Sequence, residues 1–72
     1  MPLALMKVGD KARIMAIKGS DAAKKHLGSL GLVPGVIVIV VQVMSGSMIV
    51  GIRDSRLAIN EDLLRRVMVQ PA

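Results

Sequence analysis

Apolar and polar residues fall in short runs along this chain, each broken by glycine, proline or serine, and this rhythm predicts small strands joined by tight turns. After the turn Val8-Gly9-Asp10, the run Ala12–Ile17 alternates, placing Ala12, Ile14 and Ala16 on one face and Arg13, Met15 and Ile17 on the other. Lys18-Gly19-Ser20-Asp21 interrupts it. The Ser20 hydroxyl can accept from an orphan backbone N–H, and Asp21 suits the positive end of a helix dipole, so a helix is predicted from Asp21 to Leu30. Ala23, Leu27 and Leu30 share one narrow stripe of it. Gly31 supplies the left-handed residue that ends it, with Leu32 as the hydrophobic partner of that motif.

Val33-Pro34-Gly35 reads as a tight turn, proline fixing φ and glycine supplying a positive φ. From Val36 to Val43 the chain is almost entirely β-branched, which predicts a strand. Its lack of alternation predicts burial on both faces or a sharp bend. Ser45-Gly46-Ser47 closes a hairpin into a strand over Met48–Arg53, where Gly51 predicts a bulge or a close backbone approach. Asp54-Ser55 is a further turn and Arg56–Ile59 the third strand of a meander. Asn60 caps one helical turn, Glu61–Arg65, and Val67–Gln70 is the closing strand.

This order predicts a mainly β fold over residues 1–72: one domain, a small SH3-like, partly open β-barrel of about five strands whose first and last strands pair. One short α-helix follows the first strand and a helical turn precedes the last. An OB-like barrel competes, but its helix lies between the third and fourth strands.

Composition narrows the chemistry. Hydrophobic residues make up 53% of the 72 residues, with no aromatic residue and no cysteine, so aliphatic side chains and methionine must fill the core. Met15, Met44, Met48 and Met68, in or beside strands, are each expected in the core, yet the apolar total predicts some exposed apolar patch. The longest apolar run, Val36–Val41, is far short of the roughly 20 residues of a spanning helix. The start of the chain lacks the basic and apolar regions of a secretory signal, so a cytoplasmic protein is expected.

A nucleophilic mechanism needs a base with an orienting partner. The lone histidine, His26, stands beside Lys24 and Lys25 on the predicted helix and reads as a surface residue, so no catalytic residue is assigned. One histidine, no cysteine and the scattered carboxylates Asp10, Asp21, Asp54, Glu61 and Asp62 give no converging donor set, so no metal or cofactor site is assigned. The net charge of +5 admits nucleic acid as a second reading. Without aromatic stacking platforms, that reading is confined to phosphate contacts.

The run His26-Leu27-Gly28-Ser29-Leu30-Gly31-Leu32-Val33-Pro34-Gly35-Val36-Ile37-Val38 resembles the signature of the FeoA domain, in which an Arg-Leu pair, a Leu-Gly-Leu segment and a Pro-Gly turn lead into a Val-rich strand. The similarity extends to Lys7-Val8-Gly9, Arg56-Leu57-Ala58-Ile59 and Leu64-Arg65-Arg66-Val67-Met68-Val69. His26 stands where arginine is usual, Leu64 where alanine is common, and the Ser45-Gly46-Ser47 hairpin lacks the frequent Gly-Pro. The His26 change weakens any transfer of an arginine contact.

The resemblance implies an SH3-like accessory of bacterial ferrous-iron uptake. Its partner would be the cytosolic part of the FeoB permease, which would recruit it to the inner face of the membrane. A similar domain serves as an interaction module in DtxR-type repressors, and no cofactor or catalysis is implied. The expected docking surface is Lys24, Lys25 and His26 with the turn Leu32-Val33-Pro34-Gly35, where the family-like residues and a basic cluster coincide. An open sheet edge also leaves room for a homo-oligomer.

Overall fold

The computed structural model describes residues 1–72. Five antiparallel strands lie in the order β4-β3-β2-β1-β5: β1 Lys11–Ile17, β2 Ile37–Met44, β3 Ser47–Ile52, β4 Ser55–Asn60 and β5 Val67–Pro71. Helix α1, Asp21–Ser29, follows β1, and the single turn α2, Glu61–Leu64, precedes β5. β1 pairs with β5, while β4 and β5 are the unjoined edges, so the sheet forms the expected partly open SH3-like barrel.

Both helix starts form as their sequences require. Ser20 Oγ accepts from the Ala23 N–H at 3.2 Å and Asn60 Oδ1 from the Leu63 N–H at 3.0 Å. The end of α1 is a Schellman motif: the Leu32 N–H donates to Leu27 O and the Gly31 N–H to Gly28 O, each at 3.0 Å, with Gly31 at φ +93°. The Val36 N–H donates to Val33 O at 3.2 Å, closing the Pro34-Gly35 turn, and Gly35 has φ +96°.

The core holds 15 buried residues from every strand and both helices. Three departures from the sequence pattern shape the outer surface. First, β1 carries a bulge: Ile14 pairs with Val69 but Ala16 pairs with Met68, leaving Met15 extra. The bulge shifts the alternation by one, so Ala16 is exposed and Ile17 packs against the core, the reverse of their expected sides. Second, β2 is buried on one face only. Val38 and Val40 point inward while Ile37 and Ile39 face outward, and the pairing with β3 skips Val41. The bend alternative is thus realised as a bulge, and it lies in β2 opposite β3 instead of at Gly51. Third, Arg53 belongs to the two-residue turn Arg53-Asp54, not to β3, and Ser55 begins β4.

The methionines divide. Met48 is in the core, Met68 is half-buried, and Met15 and Met44 are exposed, contrary to expectation. The sequence pattern also passed over a 3₁₀ turn, Leu3–Leu5. It brings Leu3 into the core at no measurable exposure, and Met6 follows it inward. Met1 and Val69 exchange backbone hydrogen bonds at 2.7 and 2.9 Å, which ties this segment to β5.

Candidate functional site

The bulge at Met15 and the turn after α1 together make the surface on which three of the seven expected docking residues, Lys24, Val33 and Pro34, meet. The turn is joined to β1 by two hydrogen bonds, Gly35 N–H to Ile14 O at 2.8 Å and Ile14 N–H to Val36 O at 2.9 Å. This holds Val33 and Pro34 beside the bulged end of β1. Helix α1 faces them across a hollow of about 290 Å³, lined by Met15, Ile17, Lys24, Gly28, Val33 and Pro34, with Leu32 at its base. Met15 and Val33 are 50% and 42% exposed, so the hollow presents apolar surface with one cation, Lys24, on its rim.

Of the residues expected to dock, the structure brings Lys24, Val33 and Pro34 to this hollow. Leu32 is wholly buried, and its side chain supports the turn from within the core where a partner does not reach it. Lys25 and His26 are exposed on α1 without lining the hollow. Gly35 is exposed and serves the turn through its positive φ.

Met15, Ile17 and Gly28 join the surface unannounced. Met15, expected in the core, is instead the extra residue of the β1 bulge and lies exposed beside α1. Gly28 was legible only as a small residue among helix formers; its missing side chain is what leaves the hollow open toward Val33.

Arrangements for acid–base or metal chemistry do not gather here. No group of three or more histidine, aspartate or glutamate side chains comes together anywhere in the chain. The one ion pair joins Arg65 Nη2 to Glu61 Oε1 at 2.6 Å on the surface of α2. That hydrogen bond and the carboxylate's charge raise the Arg65 pKa above its ordinary value, and neither residue lines the hollow. No helix is long and apolar enough to cross a membrane. What the site offers is a contact surface: recessed aliphatic groups, a methionine that adapts its shape, and a positive rim.

The FeoA domain family model matches residues 1–71 of the chain. A crystal structure of an iron uptake regulatory protein (FeoA) superposes with a TM-score of 0.94 at 34% identity, covering 100% of this chain and 97% of that one. The solution structure of the FeoA protein from Chlorobium tepidum gives 0.88 at 23% identity over 99% of this chain and 70% of that one. A manganese-dependent transcriptional repressor gives 0.92 at 16% identity, with 100% of this chain matching 36% of the repressor, a likeness of fold alone. No curated protein matches.

Proposed function

The chain belongs to the FeoA domain family, and from that premise we propose that it is a non-enzymatic interaction module of ferrous-iron uptake that docks on the cytosolic part of a FeoB-type permease. The observation that carries this reading is the family match over residues 1–71, joined by a protein of the same fold, at 34% identity, that is described as an iron uptake regulator. The surface supports it: the hollow beside α1 combines exposed Met15 and Val33 with Lys24, a pairing suited to a partner groove or helix with apolar and acidic groups. In this reading the protein is cytoplasmic and reaches the membrane only through its partner.

The test is a calorimetric titration of the permease's cytosolic part with this protein. Saturable binding in the micromolar range is expected, weakened by Lys24→Glu and by Val33→Asp, both exposed positions whose change leaves the core intact. No heat of binding at high micromolar concentrations would overturn the proposal. Lys25→Glu and His26→Ala, on the same helix but outside the hollow, are expected to have smaller effects.

A further inference from the structure

The outer face of the sheet sets isoleucines between two lines of cations. Paired residues of neighbouring strands project to the same side, so Lys11, Ile39, Gly51 and Arg56, paired in that order, form one row across four strands. A second row begins with Arg13 beside Ile37, and Arg53 lies at its far side. Ile37 and Ile39 are 44% and 40% exposed. Gly51 has no side chain to stand between Ile39 and Arg56, which opens a hollow of about 620 Å³ along β2. Its rim carries Lys11, Arg53 and Arg56 against a single acid, Asp54. None of these cations is paired, since the only ion pair lies on α2.

An independent observation falls on the same rim. Arg53 is the one non-glycine residue with a positive φ, +54°. Glycine, asparagine and aspartate take that conformation with less strain, yet the position holds a long cation beside the hollow. The two-residue hairpin between Ile52 and Ser55 sets this φ, and the turn thereby presents the Arg53 side chain on the rim.

The geometry points to this groove as a docking site for an acidic, extended peptide segment of a protein partner. Apolar side chains of the segment rest on Ile37 and Ile39, and its carboxylates reach sideways to Lys11, Arg53 and Arg56. Cations on both sides of an apolar line call for a ligand with the inverse pattern, and guanidinium groups bind carboxylates through paired hydrogen bonds. Nucleic acid fits less well, because bases need aromatic platforms that this chain lacks. A flat anionic bilayer fits less well too, because the apolar surface here is the floor of a hollow. The proposal is independent of the permease reading and concerns a different face.

The probe is a short synthetic peptide alternating Glu with Leu and Val, titrated into isotope-labelled protein and followed by backbone amide shifts. Shifts are expected at Lys11, Ile39, Gly51 and Arg53, with affinity falling as salt is raised. Two variants keep the fold and test the groove. Arg53→Gly relieves the positive φ while deleting a rim cation. Gly51→Ala adds a Cβ that would meet Val41 Cγ2 at 3.6 Å and Ile39 O at 3.8 Å, both ordinary contacts, and raises the floor. Each is expected to weaken binding about tenfold, the loss that follows from removing one charge-assisted contact or its packing. A version of the peptide with Lys for Glu is expected not to bind. The proposal is overturned by shifts mapping elsewhere, by no shifts at millimolar peptide, or by full affinity in Arg53→Gly. Duplex DNA or phosphatidylglycerol vesicles engaging these residues more tightly than the peptide would overturn it as well.

Discussion

Gly28 lies inside α1 with helical backbone, and a Cβ added there would meet Val33 Cγ1 at 3.9 Å, an ordinary contact. Glycine within a helix loses more backbone entropy on folding than alanine does. Gly28→Ala is therefore expected to stabilise the protein by about 0.5–1 kcal/mol, read as a higher urea midpoint at unchanged slope. An unchanged or lowered midpoint would show that the helix end needs the glycine. Gly19 makes the opposite case. Its φ is +124°, and a Cβ would strike Nη1 of Arg66, which crosses it from the segment after α2. Gly19→Ala is expected to destabilise by about 1–3 kcal/mol in the same assay, because the flexible Arg66 side chain can swing away but the positive φ strains any residue with a Cβ. Gly31 and Gly35 could be understood from the sequence because the turns they serve are set by residues within five positions. Arg53 could not be. An arginine after Gly51-Ile52 looks like strand, and only the pairing of Ile52 with Ser55 forces it into the turn.

At the scale of elements, the segment Leu3–Leu5 shows why local pattern is an incomplete guide. Three residues of 3₁₀ helix carry no periodicity to detect, yet Leu3 fills the core while Leu5 is 64% exposed. Leu3→Ala is expected to cost about 2–5 kcal/mol through the cavity it leaves. That is a large share of the stability of so small a fold. Leu5→Ala is expected to stay within about 0.5 kcal/mol of the parent. Equal effects of the two, measured by urea unfolding, would mean that the segment does not seat Leu3 as described. β2 was obscure for a different reason. Every position from Ile37 to Val41 is aliphatic, so sequence could not say which side faces water, and the answer came from the partners. Lys11 and Arg13 pair with Ile39 and Ile37, and their charges mark the outer face. Helix α1 was legible almost to the residue because its N-cap and Schellman glycine are its own. The hollow beside it was not, because it depends on a bulge in β1 that only the register with β5 reveals.

For the whole molecule, strand order and helix placement followed from turn spacing, whereas the surfaces follow from which distant residues the barrel brings side by side. Charge is the property that acts at this scale. Ten lysines and arginines face five acids, and only Arg65 has an ion-pair partner. The molecule measures 30 × 25 × 23 Å, so its cations are held within a few tens of ångströms of one another. At about 0.01 M salt the screening length is roughly 30 Å and all of them repel; at 0.15 M it is about 8 Å and most are hidden from each other. Unfolding spreads the same charges apart, so repulsion at low salt weighs on the folded state more than on the unfolded one. Raising sodium chloride from about 0.01 to 0.15 M is therefore expected to raise Tm. A change of about 1 kcal/mol corresponds to roughly 4–8 °C for a domain of this size. Sodium chloride is the right salt because sulfate would also strengthen apolar burial and blur the cause. A Tm that falls with sodium chloride would mean that attractive pairs, not repulsion, dominate the surface. That outcome would also weaken the case for the unpaired cations of the β2 groove, because those cations would then have partners within the chain.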